Sequence, residues 1–169
     1  MIQKKICMIG ASGVGKTSLI AKFVHSMFSD KYLTTVGVKI DKKTVSVDGA
    51  EVMLMIWDLE GDDEYQRLQM SYLRGTSGYL LIADGTRQIT LDQAIEIQGR
   101  VAEAVGPVPF LLALNKADLA PQWEIEQSRM DELAARGWKP FKPGPGDKAL
   151  PEQSQRRVAL KVLTQISAP

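Results

Sequence analysis

The stretch "GASGVGKT", Gly10–Thr17, decides how this chain is read. It follows the apolar run "KKICMIG" and leads into "KTSLIAKFVHSMF". There Leu19, Ile20, Phe23, Val24 and Phe28 recur at helical spacing. A buried strand, a glycine-rich turn and a helix in that order, carrying G-x-x-x-x-G-K-[ST], form a phosphate-binding loop. The glycines let the backbone wrap an anion and point several N–H groups inward, while Lys16 adds charge and the Thr17 hydroxyl suits Mg²⁺. The helix that begins here turns its positive end toward the same anion. By average residue usage the pattern arises by chance about once in a few hundred chains of this length. A glycine turn that merely ends a strand is the plainer alternative, and the strand-to-helix context disfavours it.

Outward from this loop, short apolar runs alternate with helix-length amphipathic segments. "VKIDKKTVSVDGAEVMLMIWD" reads as a hairpin turning at Asp48-Gly49. "SGYLLIADG" and "VPFLLALNK" are unbroken apolar runs, each followed by a helix candidate. Unbroken apolar character predicts strands covered on both faces, as in a parallel sheet. A last helix is predicted over 152–166, after "KPFKPGPGDKALP", whose four prolines and two glycines exclude a regular helix. The expectation is one domain over 1–169, a doubly wound α/β sheet with an antiparallel edge, its ligands at the carboxyl ends of the strands.

Composition limits the rest. The chain has 169 residues, 44% hydrophobic and 24% charged, with 21 Lys plus Arg against 20 Asp plus Glu. That length can bury a substantial core, and a net charge of +1 offers no basic surplus for nucleic acid or acidic lipid. The single cysteine, Cys7, lies in an apolar run and suits a reducing cytoplasm. The expectation is therefore a cytoplasmic protein with no nucleic-acid partner, no membrane span and no lipid-anchor motif.

Three further motifs fall where a nucleotide needs them. "NKAD", Asn115–Asp118, follows the strand "VPFLLAL". A carboxylate at Asp118 can accept from both the ring N–H and the exocyclic amine of guanine. Adenine puts an acceptor at the ring position, and a buried charge left poorly paired discriminates strongly. Lys116 can lie along the base and Asn115 can tie loops together. "DLEG", Asp58–Gly61, ends a strand and offers a carboxylate for Mg²⁺ and the Gly61 N–H for a terminal phosphate. "TTVG", Thr34–Gly37, offers Thr35 as a second hydroxyl for the metal. Alone, each of the three is weak. Their order gives them force.

Taken together, "GASGVGKT", "TTVG", "DLEG" and "NKAD", with "MIWD" and "SYLRGTSGYLLIADGT", resemble the small GTPases of the Ras superfamily, and within it the Rab-like branch. The similarity runs from Lys4 to Leu119 and continues more loosely through the helical ending. It implies a P-loop NTPase fold with a mostly parallel six-stranded sheet, one antiparallel edge strand and helices on both faces. It also implies a GTP/GDP switch with Mg²⁺. Gly10, Gly13, Val14, Gly15, Lys16, Thr17 and Ser18 would form the phosphate loop. Thr17, Thr35 and Asp58 would serve the metal, and Asn115, Lys116 and Asp118 the base. Phe28 matches the aromatic at the guanine edge, and equally fits a core residue ending the first helix. Thr35 and Gly61 would grip the γ-phosphate, and loss of that phosphate would release both loops to a reader. Effectors, GTPase-activating proteins and exchange proteins are the implied partners.

Three departures bear on the chemistry. The family's glutamine after Gly61, which orients the attacking water, is Asp62 here. With Gly61 and Lys16 it completes the expected catalytic set, either as a base or acceptor for water or as a solvated bystander beside slow turnover. Glu60 stands where a small residue is usual, and either faces solvent or repels the nucleotide. Asp63 and Glu64 fit the acidic first turn of a following helix. The loop that backs the guanine is replaced by "FKPGPGDKALPE", in which Lys148 and Ala149, with Gly146 and Asp147, are candidates for backbone contact with the base. A nucleotide-loaded interaction module with little or no hydrolysis is the rival reading. A P-loop kinase is disfavoured by "NKAD" and by the lack of an arginine-rich lid. His25, Arg74, Trp123 and Trp138 receive no role, and Cys7 and Trp57 read as core.

Overall fold

The computed structural model describes residues 2–11, 13–16, 19, 31–33, 38–47, 49–59, 70–138 and 140, with the backbone alone at 31–33, 47, 117, 118 and 120. Within these, six strands form one sheet: β1 (Ile2–Gly10), β2 (Lys31–Leu33), β3 (Lys39–Val47), β4 (Ala50–Asp58), β5 (Gly78–Asp84) and β6 (Phe110–Asn115). Their order is β2-β3-β4-β1-β5-β6. β1 lies parallel to β4 and β5, and β5 parallel to β6. β3 runs against both of its neighbours, so this edge is antiparallel. The expected hairpin is the β3–β4 pair, closed between Val47 and Ala50.

Burial follows the sequence pattern. All seven residues of β5 are buried, as an unbroken apolar run in a central strand requires. β4 alternates instead, with Val52, Leu54, Ile56 and Asp58 buried and Met53, Met55 and Trp57 half-buried. One face of the sheet carries Cys7, Ile9, Tyr79, Leu81, Ala83, Leu112 and Leu114. It packs against helix α1 (Gln88–Val105) through Leu91, Ala94 and Val101, and against helix α2 (Gln127–Ala135) through Met130 and Leu133. The other face buries Ile6, Met8, Leu80, Ile82, Leu111 and Ala113, with Val14 and Leu19 against it. The chain turns helical at Lys16, where the Leu19 N–H donates to Gly15 O at 2.9 Å.

This is the α/β fold expected from the alternation of runs. Its use here is registry. Met8 pairs with Asp58, Gly10 with Ile82, and Asp84 with Asn115. The carboxyl ends of four neighbouring strands therefore meet along one edge of the sheet, where ligands of doubly wound folds sit. Among the described residues no helix is long and apolar enough to cross a membrane. The predicted helix over 152–166 lies outside them.

Candidate functional site

The loop after β1 keeps its glycines in backbone states that other residues avoid. Gly13 has φ +75 and Gly15 has φ +91. A Cβ on Gly15 would stand 2.4 Å from Asn115 Nδ2, so the loop and the end of β6 approach as closely as a missing side chain allows. The reason is a hydrogen bond: Asn115 Nδ2 donates to Val14 O at 2.9 Å. Lys16 is buried, and its Nζ donates to Leu59 O at 2.5 Å, just beyond the buried Asp58. Leu59 N–H in turn donates to Met8 O at 3.2 Å, which holds the end of β4 to β1. The glycine loop after β1, Asp58 and Asn115 thus form one constellation.

The loop after β6 is equally constrained. Lys116 adopts φ +68, a left-handed state unusual for a side chain with a Cβ. Its carbonyl accepts from the Leu119 N–H at 2.9 Å and from Trp123 Nε1 at 2.8 Å. Its ammonium pairs with Asp84 Oδ2 at 2.8 Å. The Trp123 ring lies so tightly on Gly85 that a Cβ there would meet the ring at 2.1 Å. Asp84 ends β5 between the two loops, and its side chain has no solvent exposure. It accepts from Thr86 N at 2.9 Å, Thr86 Oγ1 at 2.7 Å and Arg87 Nε at 3.1 Å, as well as from Lys116. Burial alone would raise its pKa. The hydrogen bonds from Lys116, Thr86 and Arg87 outweigh that and hold it at about 2.

The Ras family model matches residues 5–142. The chain belongs to the Ras family. It is Rab-like: it is 31% identical to Ras-related protein Rab-13 of Bos taurus over 131 residues, 77% of this chain and 64% of that protein. It is 33% identical to Ras-related protein Rab-1D of Dictyostelium discoideum over 138 residues, 81% of this chain and 68% of that protein. Against GTP-binding protein YPT1 of Saccharomyces cerevisiae the identity is 34% over 138 residues, 81% and 67% of the two chains. The chain spans somewhat less than two thirds of the Rab-13 relative's length.

For this Rab-like chain the fold brings together Gly10, Gly13, Val14, Gly15, Lys16, Asp58, Asn115 and Lys116 of the residues singled out from sequence. Asp118, of which the backbone alone is described, lies in a 3-10 turn over Ala117–Gln122. Thr17, Ser18, Phe28, Thr35, Glu60, Gly61, Asp62, Lys148 and Ala149 lie outside the described residues. Asp84, Arg87 and Trp123 join the constellation without having been given a role in the sequence reading. The available signal was "IADG": like "IWDLEG", it is an apolar run closed by an aspartate with a glycine after it. Of the two residues read as core, Cys7 has no exposure. Trp57 is half-buried, with Lys5 Nζ 3.9 Å from its ring centroid.

Asp84 carries a pH prediction. Its folded pKa lies below the ordinary 3.8, so its stabilisation is full above that value and is lost as pH falls through about 2. Asp84→Asn is expected to lower unfolding free energy at pH 7 by about 2 kcal/mol. The gap between wild type and variant should close between pH 4 and pH 2. Urea titrations across that range measure it, and a gap that stays constant with pH would contradict the assignment.

Proposed function

We propose that this chain is a guanine-nucleotide switch, a single cytoplasmic domain that binds Mg²⁺·GTP and GDP along Gly10–Ser18 and hydrolyses GTP slowly. The observation that carries the reading is the Asn115 Nδ2 donation to Val14 O, because it joins the phosphate-loop motif to the base motif. The donor set suits the metal: Asp58 is buried beside Lys16, and Thr17 and Thr35 add hydroxyls, all hard oxygens of the kind Mg²⁺ prefers. Bound there, Mg²⁺ would offset phosphate charge. Lys16 would meet the outer phosphates, and Asn115, Lys116 and Asp118, with Lys148 and Ala149 behind, would hold the guanine.

In the reaction, water attacks the γ-phosphorus in line, the bond to the β–γ bridging oxygen breaks, and GDP and inorganic phosphate leave. Catalysis is mainly positioning and charge stabilisation, by Lys16 and the Gly61 N–H, and the residue after Gly61 holds the position from which the attacking water would be oriented. That residue is Asp62, whose ionised carboxylate cannot donate to the phosphate oxygens and adds negative charge beside them. Slow intrinsic turnover follows, with effectors, exchange proteins and an activating partner, able to supply an arginine, as the expected company.

Single-turnover hydrolysis of bound GTP tests this. Asp62→Gln is expected to speed turnover by about tenfold and Asp62→Ala to change it by less than about twofold. Loss of all turnover in both variants would make Asp62 catalytic and overturn the account. The acidic pair Glu60 and Asp62 favours a second reading, a nucleotide-loaded interaction module. Its signature is GTP that stays bound and intact in the wild type.

A further inference from the structure

Asp84 and Arg87 stand between the two loops of the site, and neither carries one of the family-type assignments made above. Arg87 is fixed before its side chain begins: its N–H donates to Asp84 O at 3.0 Å, and its carbonyl accepts from Thr90 N at 3.0 Å and Thr90 Oγ1 at 2.7 Å. From that anchor Nε reaches Asp84 Oδ2 at 3.1 Å. Nη2 is the nearest atom, at 3.4 Å, to where a Cβ on Gly13 would stand, so the guanidinium faces the phosphate loop across the space that glycine leaves open. The same Asp84 oxygen holds Lys116 Nζ at 2.8 Å. One buried carboxylate oxygen therefore links a cation on the phosphate-loop side to a cation on the base-loop side.

We propose that Asp84 and Arg87 form a clasp that sets how long a guanine nucleotide stays bound, with Arg87 as a positioning residue holding the phosphate loop at Gly13 and Asp84 fixing both Arg87 and Lys116. The proposal rests on the guanine-nucleotide reading above. Release requires the phosphate loop and the base loop to part. Parting them moves the phosphate loop away from the Arg87 guanidinium that faces it and takes Lys116 from its buried counter-charge. A buried anion stripped of a partner is costly, so the closed arrangement is favoured. The left-handed Lys116 backbone is sustained by the same set of contacts, through Trp123 and Leu119 on its carbonyl and Asp84 on its ammonium.

The test is release of methylanthraniloyl-GDP from the full chain in Mg²⁺, chased with excess GDP, for wild type, Asp84→Asn, Arg87→Gln and the double variant. Arg87 is 44% exposed on its side chain, so Arg87→Gln should leave the melting temperature nearly unchanged. It should still speed release roughly three- to tenfold, a change that a merely structural surface residue would not produce. Asp84→Asn should speed release about tenfold or more. The double variant should be no faster than Asp84→Asn, because Arg87 acts through Asp84. Arg87→Gln within about twofold of a well-loaded wild type overturns the clasp. So does a double variant whose acceleration is the product of the two singles. If Asp84→Asn does not fold, Arg87→Gln decides alone. A wild type that retains no labelled GDP sinks the guanine-nucleotide reading itself and the clasp with it, an outcome distinct from the other two.

Discussion

Lys16→Ala is expected to lower affinity for GDP and GTP by roughly a hundred- to a thousandfold, the effect of losing charge-assisted hydrogen bonds to phosphate in a partly desolvated loop. Lys16 is only 8% exposed. Its Nζ donates to Leu59 O at 2.5 Å, so the ammonium is fixed where the loop meets the end of β4 and little of its side-chain entropy remains to be lost. The same bond makes the variant ambiguous, since Leu59 O loses a donor. Lys16→Met narrows the ambiguity: like Lys16→Ala it removes the charge and the donor to Leu59 O, but it keeps the apolar stem that fills the loop. Titration calorimetry with GDP, alongside thermal melts, should show both variants binding poorly and Lys16→Met the more stable. Near-normal GDP affinity in a folded Lys16→Met chain would remove the phosphate role.

The legible parts of this molecule were those a local pattern writes. Asp48-Gly49 between two runs announced the β3–β4 hairpin, and the unbroken apolar character of "GYLLIAD" announced a strand covered on both faces. The glycines of Gly10–Thr17 announced a wrapped loop after β1, and Gly13 and Gly15 take positive φ there, because that signal is confined to eight consecutive residues. What the pattern could not write was adjacency. Asp84 matters because β5 lies between β1 and β6, and strand order is a property of the whole sheet. Trp123 reaches Lys116 and covers Gly85 only after a 3-10 turn carrying Pro121 folds it back, and that turn has no apolar period. The edge strand Lys31–Leu33 was missed for a related reason: three residues cannot show an alternation. Arg87 would pass in sequence for an ordinary surface charge, and only its anchored backbone aims it at Gly13.

Gly15→Ala should damage the site in two separable ways. At φ +91 an alanine is strained, by about 1–2 kcal/mol. Its Cβ would also stand 2.4 Å from Asn115 Nδ2, so the amide must leave Val14 O and the tie between phosphate loop and base loop opens. The expected total is a loss of roughly 2–4 kcal/mol of stability and about a hundredfold in nucleotide affinity. Gly13→Ala supplies the comparison, because φ there is +75 while the nearest atom to its Cβ is Arg87 Nη2 at an ordinary 3.4 Å. That variant carries the strain without the collision, so it should cost clearly less. The Asn115→Ala background adds a second check: removing the amide removes the collision partner, so Gly15→Ala should cost less there than in the wild type. Equal costs for the two glycine variants, and for Gly15→Ala in the two backgrounds, would mean that backbone conformation alone governs the loop. A graded result, Gly15 above Gly13 and relieved by Asn115→Ala, would show that contact between the two nucleotide motifs does.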